Sequence, residues 1–357
     1  MSSISLDIIV TTYNRSDKIA DLVSMLEQGA PLFENLIVVD STSEANQELM
    51  DNDRVVYLRS SHKNQPYQRF LGYNASSSNW LLYLDDDMEP FDGWGKQLAL
   101  LVADKGKQYK MFALCFKDKH DQSYLKTTEK SVFSTCNNKL NPIINMIRWL
   151  MGYPILPDGK YGANGVKGKL PKKGGEVQYV GGGAFMGHRD VLYKNFNMQL
   201  FNLYDKRMGK GEDGILGYTT SKQTKLYYYP EPLFVHNDQG NSIYTRNDYQ
   251  FNRLVAFSRA YLSLEYFRLN SNPLALARCL FINYSFWRLV GMGLNLVLKP
   301  SKMKWDGFRG YLNGTLKGVA LKFHKDVNKL KAYWDEEVAK DLMTLDLKSI
   351  SQAEGKK

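Results

Sequence analysis

The chain has 357 residues, a net charge of +10, 43% hydrophobic residues and 13% aromatic residues. That length and apolar content support one large domain or two smaller ones and exclude a disordered chain. The basic excess favours polyanions, whether phosphorylated substrates, anionic headgroups or nucleic acid, but no nucleic-acid-binding motif accompanies it. Leu6 to Thr11 reads as a strand, and Ser16 to Gln28 as a helix with Ser16 as N-cap and Gly29 as its stop. Asn35 to Asp40 and Val55 to Leu58 read as further strands, Tyr67 to Ala75 as a helix, and Leu81 to Asp85 as a strand. Strand–helix–strand repetition of this kind implies right-handed parallel crossovers and a doubly wound α/β sheet.

Met111 to Phe116 reads as another strand. Asp158 to Gly175 is rich in Gly and Lys and reads as a mobile, basic loop. Leu226 to Tyr229 and Leu233 to Val235 are late strand candidates. Tyr249 to Leu269 has helical spacing, which Pro273 breaks. Leu274 to Leu298 is strongly apolar but interrupted by Arg278, Asn283, Arg288 and Asn295, so its uncharged pieces fall short of the roughly 20 residues of a spanning helix. With aromatics beside arginines and Lys299, Lys302 and Lys304 following, it fits a helix in a membrane interface, touching anionic headgroups. The tail beyond Lys325 reads as a charged, exposed helix. Cys115, Cys136 and Cys279 show neither metal-ligand nor disulfide spacing, and residues 1–5 show no signal-peptide pattern. A cytoplasmic protein, peripheral on the inner face of the cell membrane, is the expectation.

The most informative feature is Leu81-Leu82-Tyr83-Leu84-Asp85-Asp86-Asp87, an apolar strand ending in three adjacent carboxylates. In open α/β sheets, ligands bind outside the carboxyl ends of the strands. Three acids there repel one another unless a cation sits among them. Hard cations such as Mg²⁺ and Mn²⁺ take oxygen ligands and share them with substrate phosphates. The expectation is therefore a metal–diphosphate site. Thr11 to Arg15 and Asp40 to Ser43 fall on the same sheet edge. Thr11, Tyr13 and Asp40 offer groups for a base and ribose, and Arg15 and Arg69 could neutralise a diphosphate.

The ordered set Val10-Thr11-Thr12-Tyr13-Asn14-Arg15, Val38-Val39-Asp40 and Leu84-Asp85-Asp86-Asp87 resembles the family 2 glycosyltransferases of the GT-A fold. Gly181-Gly182-Gly183-Ala184-Phe185-Met186 with Arg189 resembles that family's glycine-rich acceptor-side segment, and Gly211-Glu212-Asp213 its acidic motif before a helix. The resemblance covers roughly residues 4–240. It implies a catalytic domain over 1–247, with a nucleotide-sugar half (1–110) and an acceptor and base half (111–247). Residues 248–357 would form a helical, membrane-associating extension.

By that resemblance, Asp87 would coordinate a Mn²⁺ or Mg²⁺ ion, helped by Asp85 and by His236. Asp85 and Asp86 would lie near the ribose or sugar. Gly182 and its neighbours would let the sugars approach the backbone, and Asp213 would be the catalytic base, with Glu212 as the alternative. Glu212 would raise the pKa of Asp213. Relatives using UDP-sugars often carry a second acid where Ser41 stands, so UDP, dTDP and GDP donors all stay open. The implied reaction is inverting transfer from a nucleoside-diphosphate sugar to a hydroxyl of a glycan or lipid-linked acceptor, in surface polysaccharide or glycolipid synthesis. Alternatives are a sugar-1-phosphate nucleotidyltransferase, although no Gly/Lys loop follows the first strand, and a non-catalytic basic membrane-surface protein.

Overall fold

Strands with apolar residues on both faces must be covered on both sides, and alternation within each strand assigns its residues to two cores. In β1 (Leu6–Thr12), Leu6, Ile8 and Val10 join one buried cluster and Ile9 the other; in β4 (Trp80–Asp85), Leu82 and Leu84 join the first and Leu81 and Tyr83 the second. The computed structural model describes residues 4–28, 33–118, 146, 148–152, 156–237, 247–324 and 326–355. The readings at Gly29 and Cys136 lie outside them.

The remaining strands are β2 (Asn35–Asp40), β3 (Val55–Arg59), β5 (Met88–Pro90), β6 (Tyr109–Asp118), β7 (Gly175–Val177), β8 (Ala184–His188) and β9 (Lys225–His236). They form one sheet in the order β3-β2-β1-β4-β8-β6-β9-β5, with β7 also on β9. Pairing is parallel among β3, β2, β1 and β4 and between β6 and β9, whereas β8 runs antiparallel to both its neighbours. The sheet is thus mixed and mainly parallel. Strand order reverses between β1 and β4, where Thr11 sits opposite Asp85, the topological switch point at which such sheets bind ligands. At the opposite, amino-terminal end of these strands, the buried Asp7 carboxylate ties β1 to its neighbours by accepting from the Asn35 amide N–H and the Ser76 hydroxyl.

One sheet face is covered by the helix Ser16–Glu27, through Ile19, Leu22, Val23 and Leu26, and by Trp94–Lys105. The other is covered by the helix Gln65–Ala75, through Tyr67, Phe70 and Leu71. Asn64 caps this second helix by accepting from the Tyr67 N–H, and Gln68 donates to the carbonyls of Thr12 and Val39, fixing the helix beneath the tips of β1 and β2. The two late strand candidates are one bulged strand, β9. The segment from Gly182 onward continues into β8, a central strand hidden from periodicity by its glycines.

The segment read as a mobile loop is a folded hairpin. Gly159 N donates to Lys169 O, Gly168 N to Lys160 O and Gly162 N to Val166 O. Tyr161 and Tyr179 bury there with Ile215, Tyr218, Tyr261 and Leu262. This cluster joins the helix Asp248–Leu269 to the hairpin and to the helix Glu212–Ser221, so residues 248–269 share a core with the residues preceding them. The helices Leu274–Leu298 and Lys302–Val319 follow. Gly310 and Gly314 let the latter run backbone to backbone against Asp248–Leu269: a Cβ would lie 2.1 Å from Tyr249 O and 2.2 Å from Arg253 O.

The C-terminal helix, Val327–Gly355, departs from the expectation of an exposed tail. Leu330, Trp334 and Val338, spaced i, i+4, i+8, are buried against the helix Gln65–Ala75 and its surroundings. Asp341 accepts from Tyr67 Oη at 2.8 Å and from Ser61. His62 stands between Asp205 (3.1 Å) and Glu337 (3.0 Å), and its pKa is raised by the bond to Asp205, further helped by Glu337. The amphipathic stripe outweighs the charges of the other face. Trp334→Ala should lower unfolding free energy by about 3–5 kcal/mol, measured by urea denaturation; a loss below about 1 kcal/mol would show that the helix is not docked in solution.

Candidate active site

The acid triplet is divided between two arginines. Arg15, just past β1, donates from Nη1 to Asp86 Oδ1 (2.7 Å) and Asp87 Oδ2 (2.9 Å), and Thr12 Oγ1 donates to Asp86 Oδ2 (2.7 Å). Arg69, on the helix Gln65–Ala75, donates from Nη2 to Asp85 Oδ1 (2.9 Å) and Gly182 O (2.9 Å), and from Nη1 to Glu212 Oε1 (3.2 Å). Gln65 Nε2 adds a 2.7 Å bond to Asp85. Burial pushes the Asp85 carboxyl up to about 7 against the pull of Arg69.

Arg69 is only 2% exposed. It therefore does not reach into the site as a diphosphate ligand, as the sequence suggested, but ties its parts together from beneath. Arg15, with 21% of its side chain exposed, is the cation that borders open space.

Asp87 is placed differently from its neighbours. Its Oδ1 is buried and lies 3.5 Å from His236 Nε2, a residue brought there by the β5–β9 pairing. Burial opposes ionisation of Asp87, but His236 and Arg15 outweigh it and hold the carboxyl at about 2. A buried carboxylate oxygen facing an imidazole nitrogen suits a hard divalent cation that takes its other ligands from phosphate oxygens and water. Among the described residues no group of three or more His, Cys, Asp or Glu is arranged for a metal ion. Asp85 and Asp86 instead have their charges met by Arg69 and Arg15.

The acidic motif sits where a helix begins. Gly211, in the left-handed region at φ +88°, turns the chain into the helix Glu212–Ser221, whose positive N-terminal end favours both acids. Glu212 accepts from Arg69 and from the Tyr204 hydroxyl. Asp213 accepts from Lys167 Nζ at 3.3 Å, and that ammonium also lies 5.2 Å from the Tyr179 ring centre. Burial disfavours ionised Asp213, yet Lys167 and then Arg69 hold its pKa below the usual range; Glu212 is pushed up by burial and by Asp213. The expected raising of Asp213 by its neighbour is thus corrected: the penalty falls on Glu212, because Lys167 binds only Asp213. A Cβ on Gly182 would stand 3.7 Å from the Asp213 carboxyl, in the space beside it. Gly183 is small for another reason, since its Cβ would collide with Met88.

At the edge, Asp40 accepts from Tyr57 Oη (2.7 Å) and from Thr42 N (2.7 Å). Burial pushes the Tyr57 hydroxyl up to about 12. Thr11 Oγ1 and Ser41 Oγ, at adjacent strand tips, are buried with no partner. Tyr13 Oη accepts from Lys63. Arg189 lies away from the site: it donates to the carbonyls of Tyr73 and Ser76, capping the helix Gln65–Ala75. The structure thus joins Arg15, Arg69, Asp85, Asp86, Asp87, Gly182, Glu212, Asp213 and His236 in one contact network. Lys167, Gln65, Gln68, Tyr57 and Tyr204 were not anticipated. Only Gln65 and Gln68 carried a signal, as polar residues flanking Arg69 at the start of a buried helix.

The glycosyl transferase family 2 model matches residues 7–196, spanning β1, the acid triplet and β8. This chain belongs to glycosyltransferase family 2. It is therefore a nucleotide-sugar glycosyltransferase of the GT-A fold, and the nucleotidyltransferase and non-catalytic alternatives are set aside. No curated protein matches the sequence. Among solved structures, S. aureus TarS 1–349 gives a TM-score of 0.49 at 12% identity, covering 98% of this chain and 92% of that one. S. aureus TarS gives 0.48 at 12%, covering 96% and 54%. S. aureus TarS 1–349 in complex with UDP-GlcNAc gives 0.47 at 12%, covering 98% and 92%.

The transferase's site depends on Arg69 staying paired. Arg69→Met leaves Asp85 and Glu212 buried without their cation and should cost about 3–5 kcal/mol, read by urea denaturation. An unchanged midpoint would show that water already reaches these acids.

Proposed function

We propose that this glycosyltransferase is a metal-dependent, inverting enzyme with Asp213 as its catalytic base. The observation that carries the reading is the segregation of the carboxylates. Asp213 is held ionised by Lys167, while Asp87 turns one buried oxygen toward His236 Nε2 at 3.5 Å.

In this reading the nucleotide lies across the tips of β1 and β2. Thr11 and Ser41 supply the unpaired hydroxyls there, Asp40 and Tyr13 the edges of the base and ribose site. UDP, dTDP and GDP donors all remain compatible. The diphosphate reaches the acid triplet, where Arg15 offers positive charge. Asp87 and His236 would hold a Mn²⁺ or Mg²⁺ ion, whose contribution when bound is to neutralise the departing nucleoside diphosphate. Asp213 takes the proton from a hydroxyl of the acceptor, a glycan or a lipid-linked sugar, as that oxygen attacks the anomeric carbon. Gly182 leaves room for the attack beside the carboxylate. A single displacement inverts the anomeric configuration. The acceptor belongs, in this reading, to surface polysaccharide or glycolipid synthesis.

Asp213→Asn should cut transfer by about 10²–10⁴-fold while preserving the thermal shift given by UDP, dTDP or GDP with Mn²⁺. Asp87→Ala should abolish the Mn²⁺-dependent part of that shift. Near-normal turnover of Asp213→Asn, or a Mn²⁺ response untouched by Asp87→Ala, would remove the corresponding assignment.

Lys167 sets the pH at which the base is ready. Because it lowers the Asp213 pKa, its removal raises that pKa and moves the acidic limb of kcat/KM to higher pH. Lys167→Met should shift the limb to higher pH, with Lys167→Arg restoring much of it. An unmoved limb would mean that a group other than Asp213 titrates there.

A further inference from the structure

Beyond the fold and the reaction, one surface of the molecule is built unlike the rest. The helix Leu274–Leu298 is buried only in its first half, through Ala277, Phe281, Tyr284 and Ser285. Its second half packs only on the helix Lys302–Val319, through Met292 and Gly293, and leaves several apolar side chains exposed. Ile282, Phe286, Leu294 and Leu298, at spacings of four and eight, are 46%, 56%, 61% and 78% exposed. Ile282 and Phe286 share one helix face, and Leu294 and Leu298 share another, turned from it by about 120° and leading into the hairpin turn. The returning helix Lys302–Val319 exposes Trp305, Leu312, Leu316 and Val319, again one face. Trp149 and Leu150 lie next to the first stripe, because Asn283 Nδ2 donates to Leu150 O. Scattered exposed apolar residues are ordinary, but continuous stripes mark an interaction site.

The charge of the hairpin names its partner. Residues 273–324 carry eight Lys or Arg and a single acid, Asp306, a net +7 in a chain whose total is +10. Lys299 and Lys302 are exposed at the hairpin turn, next to Val297, Leu298 and Met303. Lys304 closes the turn by donating to Lys299 O and to Asn295. Apolar and indole side chains flanked by lysines match the boundary between acyl chains and anionic headgroups. No helix among the described residues is long and apolar enough to cross a membrane, so such a surface would rest on a bilayer rather than traverse it. Two copies paired through this face would bring +7 against +7.

We propose that the free end of the hairpin formed by residues 274–319, centred on Leu294, Leu298 and Trp305 with Lys299 and Lys302, docks this enzyme on an anionic lipid bilayer. The proposal differs from the expected single interfacial helix, since both helices and their turn take part and the first half of Leu274–Leu298 packs on the protein. It does not rest on the assignment of the base or the metal.

The test is flotation of the full chain with vesicles of phosphatidylglycerol and phosphatidylcholine, against phosphatidylcholine alone, at low and high salt. Binding should require phosphatidylglycerol, weaken with salt and shift tryptophan emission to the blue. Lys299→Glu with Lys302→Glu, and separately Leu298→Ser with Trp305→Ser, should each weaken binding at least about tenfold, roughly the effect of removing two basic contacts near such a surface. Both variants should keep the wild-type melting temperature. Absence of binding at low salt, or binding that both variants retain, would overturn the proposal. So would sedimentation equilibrium showing a dimer that the same substitutions dissolve, since the face would then be an interface between copies.

Discussion

A single buried guanidinium holds this site in shape. Arg69 is removed from water, which costs several kcal/mol for an unpaired ion, and it recovers stability only by meeting Asp85, Gly182 and Glu212 together. Those partners lie 16, 113 and 143 residues away in the chain. The charge is therefore satisfied only when the strand end, the glycine segment and the helix Glu212–Ser221 have all arrived.

The same accounting explains how three adjacent acids coexist. Arg69 neutralises Asp85 from below, and Arg15 with Thr12 saturates Asp86 from the side. Asp87 shares Arg15 but retains an oxygen toward His236. On the other side of Arg69, Glu212 is held by Tyr204, which leaves Asp213 to Lys167.

The C-terminal helices serve two structural purposes. Asp248–Leu269 closes the aromatic cluster behind the helix Glu212–Ser221, and Val327–Gly355 returns to the opposite half, where Trp334, Glu337 and Asp341 meet His62 and Tyr67. Between them lies the hairpin, with Leu294, Leu298, Trp305 and Leu316 exposed. Residues that read as one extension thus divide into parts that complete the core and a part that leaves it.

The sequence alone determined the doubly wound sheet, its switch-point edge, the acid triplet and the acidic motif at Glu212 and Asp213. All of these are local signals: apolar runs of strand length, acids at a strand end, a glycine before a helix. The docking of the last helix was also written locally, in the i, i+4, i+8 spacing of Leu330, Trp334 and Val338, but its many charges hid it. Tertiary structure alone decided that β8 is a central strand, that Arg69 is buried, that the Gly- and Lys-rich segment folds beside Asp213, and that Lys167 rather than Glu212 governs Asp213. The physical reason is distance along the chain. Partners 46 to 143 residues apart leave no periodicity to read, and the charge state of a carboxylate is set by whichever cation the fold brings to it.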